Sequence, residues 1–176
     1  MTEHNTAFNN TSNEKQGEFV ITRTFDAPRE LVFRAWTDAE NLKQWWGPKG
    51  FSIIIAAFDL RPDGVFHYHL QSPDGLELWG KFVYREITAP EKLVYVSSFS
   101  DKEANIVGSP FSPTWPLEVL NTLTLVERDN KTILTLKGYP LNANKDELKT
   151  FVDMHASMQQ GFSGTFDQLE DFLAKA

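Results

Sequence analysis

Short stretches of alternating apolar and polar residues, separated by turn signals, constrain the fold of this chain more than any other feature. Such alternation has the period of a half-buried β-strand. The turn-forming residues at 63–64, 73–75, 89–90 and 129–130 leave short connections, so consecutive strands are expected to pair in antiparallel fashion. The pattern predicts about seven strands. They are Glu18–Asp26, Phe51–Leu60, Val65–Gln71, Leu76–Ile87, Lys92–Phe99, Glu118–Glu127 and Thr132–Gly138.

Two short helices are predicted between the first and second strands. Asp26 is positioned to cap the first helix, and Pro28 falls in its first turn. Thr37 and Glu40 have the spacing of a capping box for the second helix, which Gly47 would end.

A long amphipathic helix is predicted from residue 144 to nearly the end of the chain. Asn144 and Glu147 have the spacing of a capping box, and Gly161 and Gly164 interrupt the pattern, which indicates a kink or a close approach to another backbone. Its apolar stripe comprises Leu148, Phe151, Val152, His155, Met158, Phe162, Phe166, Leu169 and Leu173.

These elements predict one α+β domain over residues 18–176, preceded by a disordered polar tail at residues 1–17. One long helix cannot cover the concave face of a curved seven-stranded antiparallel sheet, so a cavity between them is expected. Aromatic residues make up 13% of the chain, and many fall in the inward phase of the strands. The sequence therefore predicts a cavity lined by aromatic side chains.

Several short motifs, taken in order, resemble the SRPBCC (START / Bet v 1-like) superfamily. Within it, they are most similar to the branch named for the activator of heat-shock protein 90 ATPase. The resemblance covers roughly residues 18–175 and implies a helix-grip fold with a hydrophobic ligand cavity. The matching segments are Phe25–Phe33, Ala35–Asp38, Trp45–Pro48, Pro73–Gly75, Tyr84–Ile87, Pro90–Tyr95 and Ser157–Phe162.

The leading functional hypothesis is binding of a hydrophobic or aromatic small molecule, lipid-like or polyketide-like, in the cavity. Two alternatives stay open. The protein could act through its surface as a chaperone partner of the heat-shock protein 90 ATPase activator type, linked to the stress response, or it could be a cyclase-like or hydrolase-like enzyme that uses the same cavity. The expected ligand-binding residues are Trp45, Phe66, Tyr68, Phe82, Tyr95, Phe99, Phe111, Trp115, His155, Met158 and Phe162.

No strong catalytic candidate emerges, and the protein is expected to be a binder more than an enzyme. The sequence contains no G-x-S-x-G elbow, P-loop or G-x-G-x-x-G motif. The weak acid/base candidates are His155, on the helical stripe, and Glu86, which is in phase with Phe82 and Tyr84. Each would bring a polar group into an apolar cavity.

Charge and residue types limit the partners. A net charge of −7 disfavours nucleic acid, and the absence of cysteine excludes disulfides and thiolate metal sites. His67 and His69 share a strand face and could bind a metal with His155, but the alternation favours a solvent face for them, so neither metal nor cofactor is expected. No stretch is apolar enough to span a membrane, and a cytoplasmic location is expected.

The segment from Ser100 to Pro116 breaks the strand rhythm. It contains three prolines together with Phe111 and Trp115. A loop this long in a small domain is often functional, so it is predicted to act as a lid over the cavity or as a contact in a homodimer.

Overall fold

The computed structural model describes residues 16–176, so most of the predicted tail at residues 1–17 lies outside the described residues. Seven strands and four helices follow one another along this part of the chain. In order they are β1 (Phe19–Phe25), α1 (Arg29–Thr37), α2 (Ala39–Trp45), β2 (Ser52–Phe58), β3 (Val65–Gln71), β4 (Glu77–Thr88), β5 (Lys92–Phe99), β6 (Glu118–Arg128), β7 (Lys131–Leu141), α3 (Lys145–Asp153) and α4 (His155–Lys175).

The strands form one antiparallel sheet in the order β1-β7-β6-β5-β4-β3-β2. Each strand from β2 to β7 pairs with its neighbour in sequence, and β1 adds to the outer edge of β7. The α+β fold with a seven-stranded sheet, two short helices after the first strand and a long C-terminal helix is therefore confirmed. Between residues 16 and 176, no helix is long and apolar enough to cross a membrane.

The start of α1 differs from the prediction. Asp26 does not cap this helix: its N-cap residue is Pro28, which makes no side-chain capping bond. Instead, the backbone N–H of Arg29 donates to the carboxylate of Glu127 on β6, at 2.7 Å. A side chain distant in sequence thus satisfies one of the free N–H groups at the helix start.

The predicted capping box of α2 is also wrong. Asp38 accepts hydrogen bonds from the backbone N–H groups of Glu40 and Asn41, at 2.9 and 3.2 Å. Thr37 is the last residue of α1, and its hydroxyl donates to the carbonyl of Phe33 at 2.8 Å. This back-bond within α1 occupies the hydroxyl that the capping box required.

The C-terminal helical segment consists of two helices. Asn144 and Glu147 form the predicted capping box at the start of α3. The helix is interrupted at Met154 (φ −92°, ψ 1°), seven positions before Gly161. Gly161 and Gly164 lie inside α4, where an added Cβ would meet no atom of the described residues within 4 Å. The expected close approach of another backbone at these glycines is therefore wrong.

Replacing Gly161 with alanine is expected to raise the free energy of unfolding by about 0.5–1 kcal/mol, because glycine in a helix interior is less favourable than alanine. Urea denaturation would measure the change.

Gly75 provides a matched control for this substitution. It also has nothing within 4 Å of an added Cβ, but its φ of +92° strains an alanine. The Gly75→Ala variant should lose stability, and a loss in the Gly161→Ala variant as well would contradict the prediction.

A polar network on the surface ties α4 to β1. Arg23 pairs with Asp167 at 2.8 Å and Glu170 at 3.2 Å, and Lys49 pairs with Asp167 at 3.3 Å. Hydrogen bonds from Arg23 and then Lys49 hold the pKa of Asp167 below its ordinary value of 3.8. This network links the helix that covers the sheet to β1 and to the residues after α2.

Asp167 is expected to make stability dependent on pH. Because its pKa is lowered in the folded state, its contribution is present above the ordinary value of 3.8 and is lost as the pH falls through the folded value. Urea denaturation at pH 7 and near pH 3 should show that Asp167→Asn destabilises the protein more at pH 7 than at the lower pH, where part of the contribution has been lost.

The matched control is Asp171→Asn, because Asp171 lies on the same helix and forms no ion pair with any described residue. An equal cost of Asp167→Asn at both pH values would contradict the assignment.

Candidate functional site

A cavity of about 270 Å³ lies between the inner face of the sheet and α4. Strands β3 to β6 form its floor, and β1, the end of α2 and the 108–116 loop complete its walls. Among the described residues, no charged side chain lines it. Its lining consists of Phe19, Trp46, Tyr68, Leu70, Leu78, Trp79, Gly80, Phe82, Tyr95, Ser97, Ser98, Phe99, Trp115, Val119, Asn121, Met158 and Phe162.

Seven of the eleven predicted ligand-binding residues line this cavity. The strand residues among them alternate with outward-facing neighbours, as the sequence pattern indicated. Their contact with a ligand stays a prediction. These seven are Tyr68, Phe82, Tyr95, Phe99, Trp115, Met158 and Phe162.

Trp45 and Phe66 lie in the packed core and do not reach the cavity. The Trp45 indole N–H donates to the carbonyl of Ala35 at 3.0 Å, and its ring contacts Trp36 at 4.9 Å. Phe66 is fully buried, with its ring 5.1 Å from that of Phe82. Both residues support cavity walls formed by others.

His155 also lies outside the cavity lining. Its ring is between Phe19 and Phe151, at centroid distances of 5.5 and 5.3 Å. The buried Nε2 atom has no hydrogen-bond partner among the described residues. The helical stripe correctly indicated that the side chain faces inward, but it packs against aromatic rings and not against the cavity space.

Glu86 lies on the exposed side of β4. A β-bulge after Tyr84 places Glu86 opposite Val94, so the inward phase passes to Ile87. The Glu86 carboxylate accepts a hydrogen bond from Thr88 at 2.9 Å and pairs with Lys92 at 3.4 Å. A strict alternation of two residues could not reveal this inserted residue.

The two histidines of β3 lie on the outer face of the sheet, where both stack on Trp79, with centroid distances of 5.0 Å for His67 and 4.5 Å for His69. His67 is buried, which differs from the expected solvent face. His155 lies on the other side of the sheet and cannot join them. Over the described part of the chain, no three His, Cys, Asp or Glu side chains are grouped to hold a metal.

The first half of the long loop covers this outer face. His67 Nε2 lies 3.2 Å from the Ser100 hydroxyl and 3.1 Å from the Asp101 carbonyl, and Lys81 donates to the carbonyl of Ala104 at 2.8 Å. Hydrogen bonds from Asn105 hold the pKa of Asp101 below its usual range. Residues 100–105 are thus anchored on the sheet, and they cover His67, which is buried beneath them.

The second half of the loop borders the cavity. Trp115 lines it and contacts Phe151 at 5.5 Å, while the hydroxyls of Thr114 and Thr150 are 2.7 Å apart and join the loop to α3. Phe111 is 65% exposed and does not line the cavity. Its roles as part of a lid or as a dimer contact stay predictions.

Trp46 lines the cavity, although it is absent from the predicted set of ligand-binding residues. The next residue, Gly47, has φ +110°, and its carbonyl accepts hydrogen bonds from Gln168 at 2.7 Å and Thr165 at 3.1 Å. An added Cβ at Gly47 would lie 2.9 Å from Leu70. Helix α4 thus fixes the turn that holds the Trp46 indole.

A polar group on the cavity floor was also missed. Tyr95 pairs with Asn121 across β5 and β6, and Ser97 follows in the same phase as Tyr95. The Asn121 amide donates to the Ser97 hydroxyl at 2.9 Å and to the Val119 carbonyl at 3.0 Å. We call Tyr95, Ser97 and Asn121 the polar patch. The shared phase of Ser97 with Tyr95 and Phe99 was the signal that could have found it.

The cavity tyrosines stay uncharged at neutral pH. Burial raises the pKa of Tyr68 to about 12, although the nearby Trp46 indole opposes part of the rise. Burial also raises the pKa of Tyr95 well above 10.0, and the neighbouring Tyr68 and Tyr84 raise it further. The cavity is therefore neutral, with hydroxyl groups that can donate hydrogen bonds.

The family model for Activator of Hsp90 ATPase homolog 1-like proteins matches residues 26–174. The chain belongs to this family. The resemblance predicted from the sequence motifs is thus confirmed. No curated protein matches the chain significantly.

Solved structures of similar proteins share the fold over nearly the whole chain. Protein Ms6760 from Mycobacterium smegmatis is 26% identical, with a TM-score of 0.73 over 89% of this chain and 90% of that one. A protein from Staphylococcus epidermidis is 25% identical, with a TM-score of 0.73 over 93% of each chain. A protein from Arthrobacter aurescens, 23% identical, has a TM-score of 0.75 over 93% of this chain and 91% of that one.

Proposed function

We propose that this member of the family binds a small, uncharged and largely apolar molecule in the cavity under α4. The observation that carries the proposal is the composition of the described lining, in which large aromatic and aliphatic side chains surround a few polar groups and no charged one. Ligand sites in proteins have this composition. Transfer of an apolar molecule from water into such a space is favourable by about 25 cal/mol per Å² of buried surface.

The cavity size restricts the ligand. An apolar cavity of about 150 Å³ is known to hold benzene. With the same loose filling, a volume of about 270 Å³ holds a molecule of about two aromatic rings, and at the close packing of protein interiors it holds about three. Long lipids and large polyketides would require the walls to move apart, so a compact ligand fits better than either.

A neutral fluorescent dye, N-phenyl-1-naphthylamine, tests the proposal. Its emission should increase when the protein is added, because the dye enters an apolar site. Met158→Trp adds a large ring to the cavity wall and should weaken dye binding at least ten-fold. The matched control is Met154→Trp, because Met154 is 42% exposed and lies outside the lining. Equal binding by both variants, or none by the unmodified protein, would overturn the proposal.

The family description supports a second candidate, action on a chaperone ATPase through the protein surface. Exposed apolar side chains near the cavity, including Phe111 and Leu117, offer such a surface. Adding the protein to purified heat-shock protein 90 and measuring ATP hydrolysis tests this candidate. Stimulation that survives Met158→Trp but is lost in Phe111→Ser would support it, and an unchanged ATPase rate would eliminate it.

A further inference from the structure

The polar patch on the cavity floor has hydrogen-bonding capacity that the protein does not use. Asn121 is 7% exposed, and both of its donated bonds go to Ser97 and Val119. No described residue donates to its carbonyl oxygen. The Tyr95 hydroxyl likewise has no hydrogen-bond partner among the described residues, although its side chain is buried.

The patch presents both an acceptor and donors. The Asn121 carbonyl can accept a hydrogen bond, whereas the Ser97 hydroxyl, which already accepts from Asn121, keeps its own hydrogen free to donate. The Tyr95 hydroxyl can donate as well. A ligand hydroxyl matches this set because it donates one hydrogen bond and accepts others, whereas a carbonyl oxygen only accepts and leaves the Asn121 oxygen unpaired.

The remainder of the cavity selects against charge. The lining formed by residues 16–176 contains no lysine, arginine or histidine to pair with a carboxylate, and no aspartate or glutamate to pair with an ammonium group. Burial of an unpaired ion costs several kcal/mol. An anionic or cationic form of the same ring system should therefore be excluded.

We propose that the cavity is selective for uncharged aromatic molecules with a hydroxyl group, which the Tyr95, Ser97 and Asn121 side chains recognise at its floor. The inference rests on the proposed function, because it assigns a ligand class to the same cavity. In this arrangement the rings of the ligand lie among the aromatic walls, and its hydroxyl reaches the centre of the sheet.

Three naphthalene derivatives of similar shape test the selectivity. They are 2-naphthol, naphthalene and 2-naphthoate, each measured at pH 7 by displacement of N-phenyl-1-naphthylamine. We expect 2-naphthol to bind roughly ten-fold more tightly than naphthalene, as one or two net hydrogen bonds allow. We expect 2-naphthoate to bind at least ten-fold more weakly than 2-naphthol.

Variants then locate the recognition. Tyr95→Phe and Ser97→Ala should each reduce the preference for 2-naphthol over naphthalene, taken as the ratio of the two affinities in the same variant, by roughly three- to ten-fold. Tyr84→Phe is the matched control. Tyr84 lies directly opposite Tyr95 on β4 and is equally buried, but it does not line the cavity. Tyr84→Phe removes a hydroxyl that does not line the cavity, so the preference for 2-naphthol over naphthalene should stay unchanged.

The possible failures are distinguishable. Binding of naphthalene and 2-naphthol with equal affinity would overturn the selectivity and leave the apolar cavity in place. The selectivity would likewise be overturned, and the apolar cavity would stay in place, if Tyr84→Phe changed the preference for 2-naphthol as much as Tyr95→Phe. Failure of all three compounds and of the dye to bind would instead overturn the proposed function itself.

Discussion

Replacing Phe166 with alanine is expected to lower the free energy of unfolding by about 3–5 kcal/mol, the cost of removing a fully buried phenylalanine. The side chain is 0% exposed. Its ring contacts Phe25 at 6.0 Å, Trp36 at 6.3 Å and Phe162 at 5.8 Å. It thus joins α4 to β1 and α1, and it supports one wall of the cavity. Urea denaturation at low temperature would measure the loss.

The control for this prediction is a second phenylalanine on the surface. Phe111 is 65% exposed, so Phe111→Ala should change the free energy of unfolding by at most about 0.5 kcal/mol. A loss below about 1 kcal/mol for Phe166→Ala would mean that α4 is held mainly by other contacts, such as the Arg23 network.

Replacing Gly80 with alanine is expected to weaken ligand binding in the cavity at least ten-fold. Gly80 lies opposite Tyr68 across β4 and β3. An added Cβ would lie 2.6 Å from the Tyr68 hydroxyl oxygen and 2.7 Å from its ring Cζ, which is too close for either atom. Since the Tyr68 ring lines the cavity and its other neighbours are packed rings such as Phe66 and Phe82, we expect the ring to turn into the cavity. N-phenyl-1-naphthylamine fluorescence measures the loss of binding.

The same substitution should also cost about 1–3 kcal/mol of stability, as overpacking in a well-packed interior does. Gly108→Ala is the matched control, because an added Cβ there meets nothing within 4 Å. In a Tyr68→Leu background, Gly80→Ala should cost much less, since the clash involves the tyrosine ring. An equal cost in both backgrounds would show that Gly80 is required for another reason.

Residue-level orientation could be predicted where only the local period matters. The alternation in β3 correctly places Phe66 and Leu70 inside, and Asn144 caps α3 as its spacing with Glu147 indicates. Both predictions depend on residues two to four positions apart. Interactions at that range are set by backbone geometry and are readable in the chain itself.

The predictions were wrong where an inserted residue interrupts the strand period, or where a side chain distant in sequence takes a hydrogen bond that a local one was expected to make. The bulge after Tyr84 turns Glu86 outward, and nothing in its neighbours marks the inserted residue. Asp26 was predicted to cap α1, but the Arg29 N–H at the start of this helix donates to the carboxylate of Glu127, about a hundred residues later in the chain. Such effects depend on which strands lie next to each other.

The division of the aromatic residues shows the same limit at the cavity. Trp45 and Trp46 are adjacent, yet one is in the core and the other lines the cavity. Their positions depend on hydrogen bonds from α4 to Gly47 and on where α2 ends. His155 faces inward as its helical position predicts, but Phe19 and Phe151 fill the space around it.

The sequence by itself determined the seven strands, the two short helices after the first strand, the helical character of the C-terminal segment and the family, because these depend on short-range periodicity and on contiguous motifs. Tertiary structure alone decided which inward residues surround empty space and which pack against one another. The packing of α4 across the sheet leaves part of the inner face uncovered, and the pairing of β5 with β6 brings Tyr95, Ser97 and Asn121 together there. Both depend on contacts between residues far apart in the chain, which local patterns do not encode.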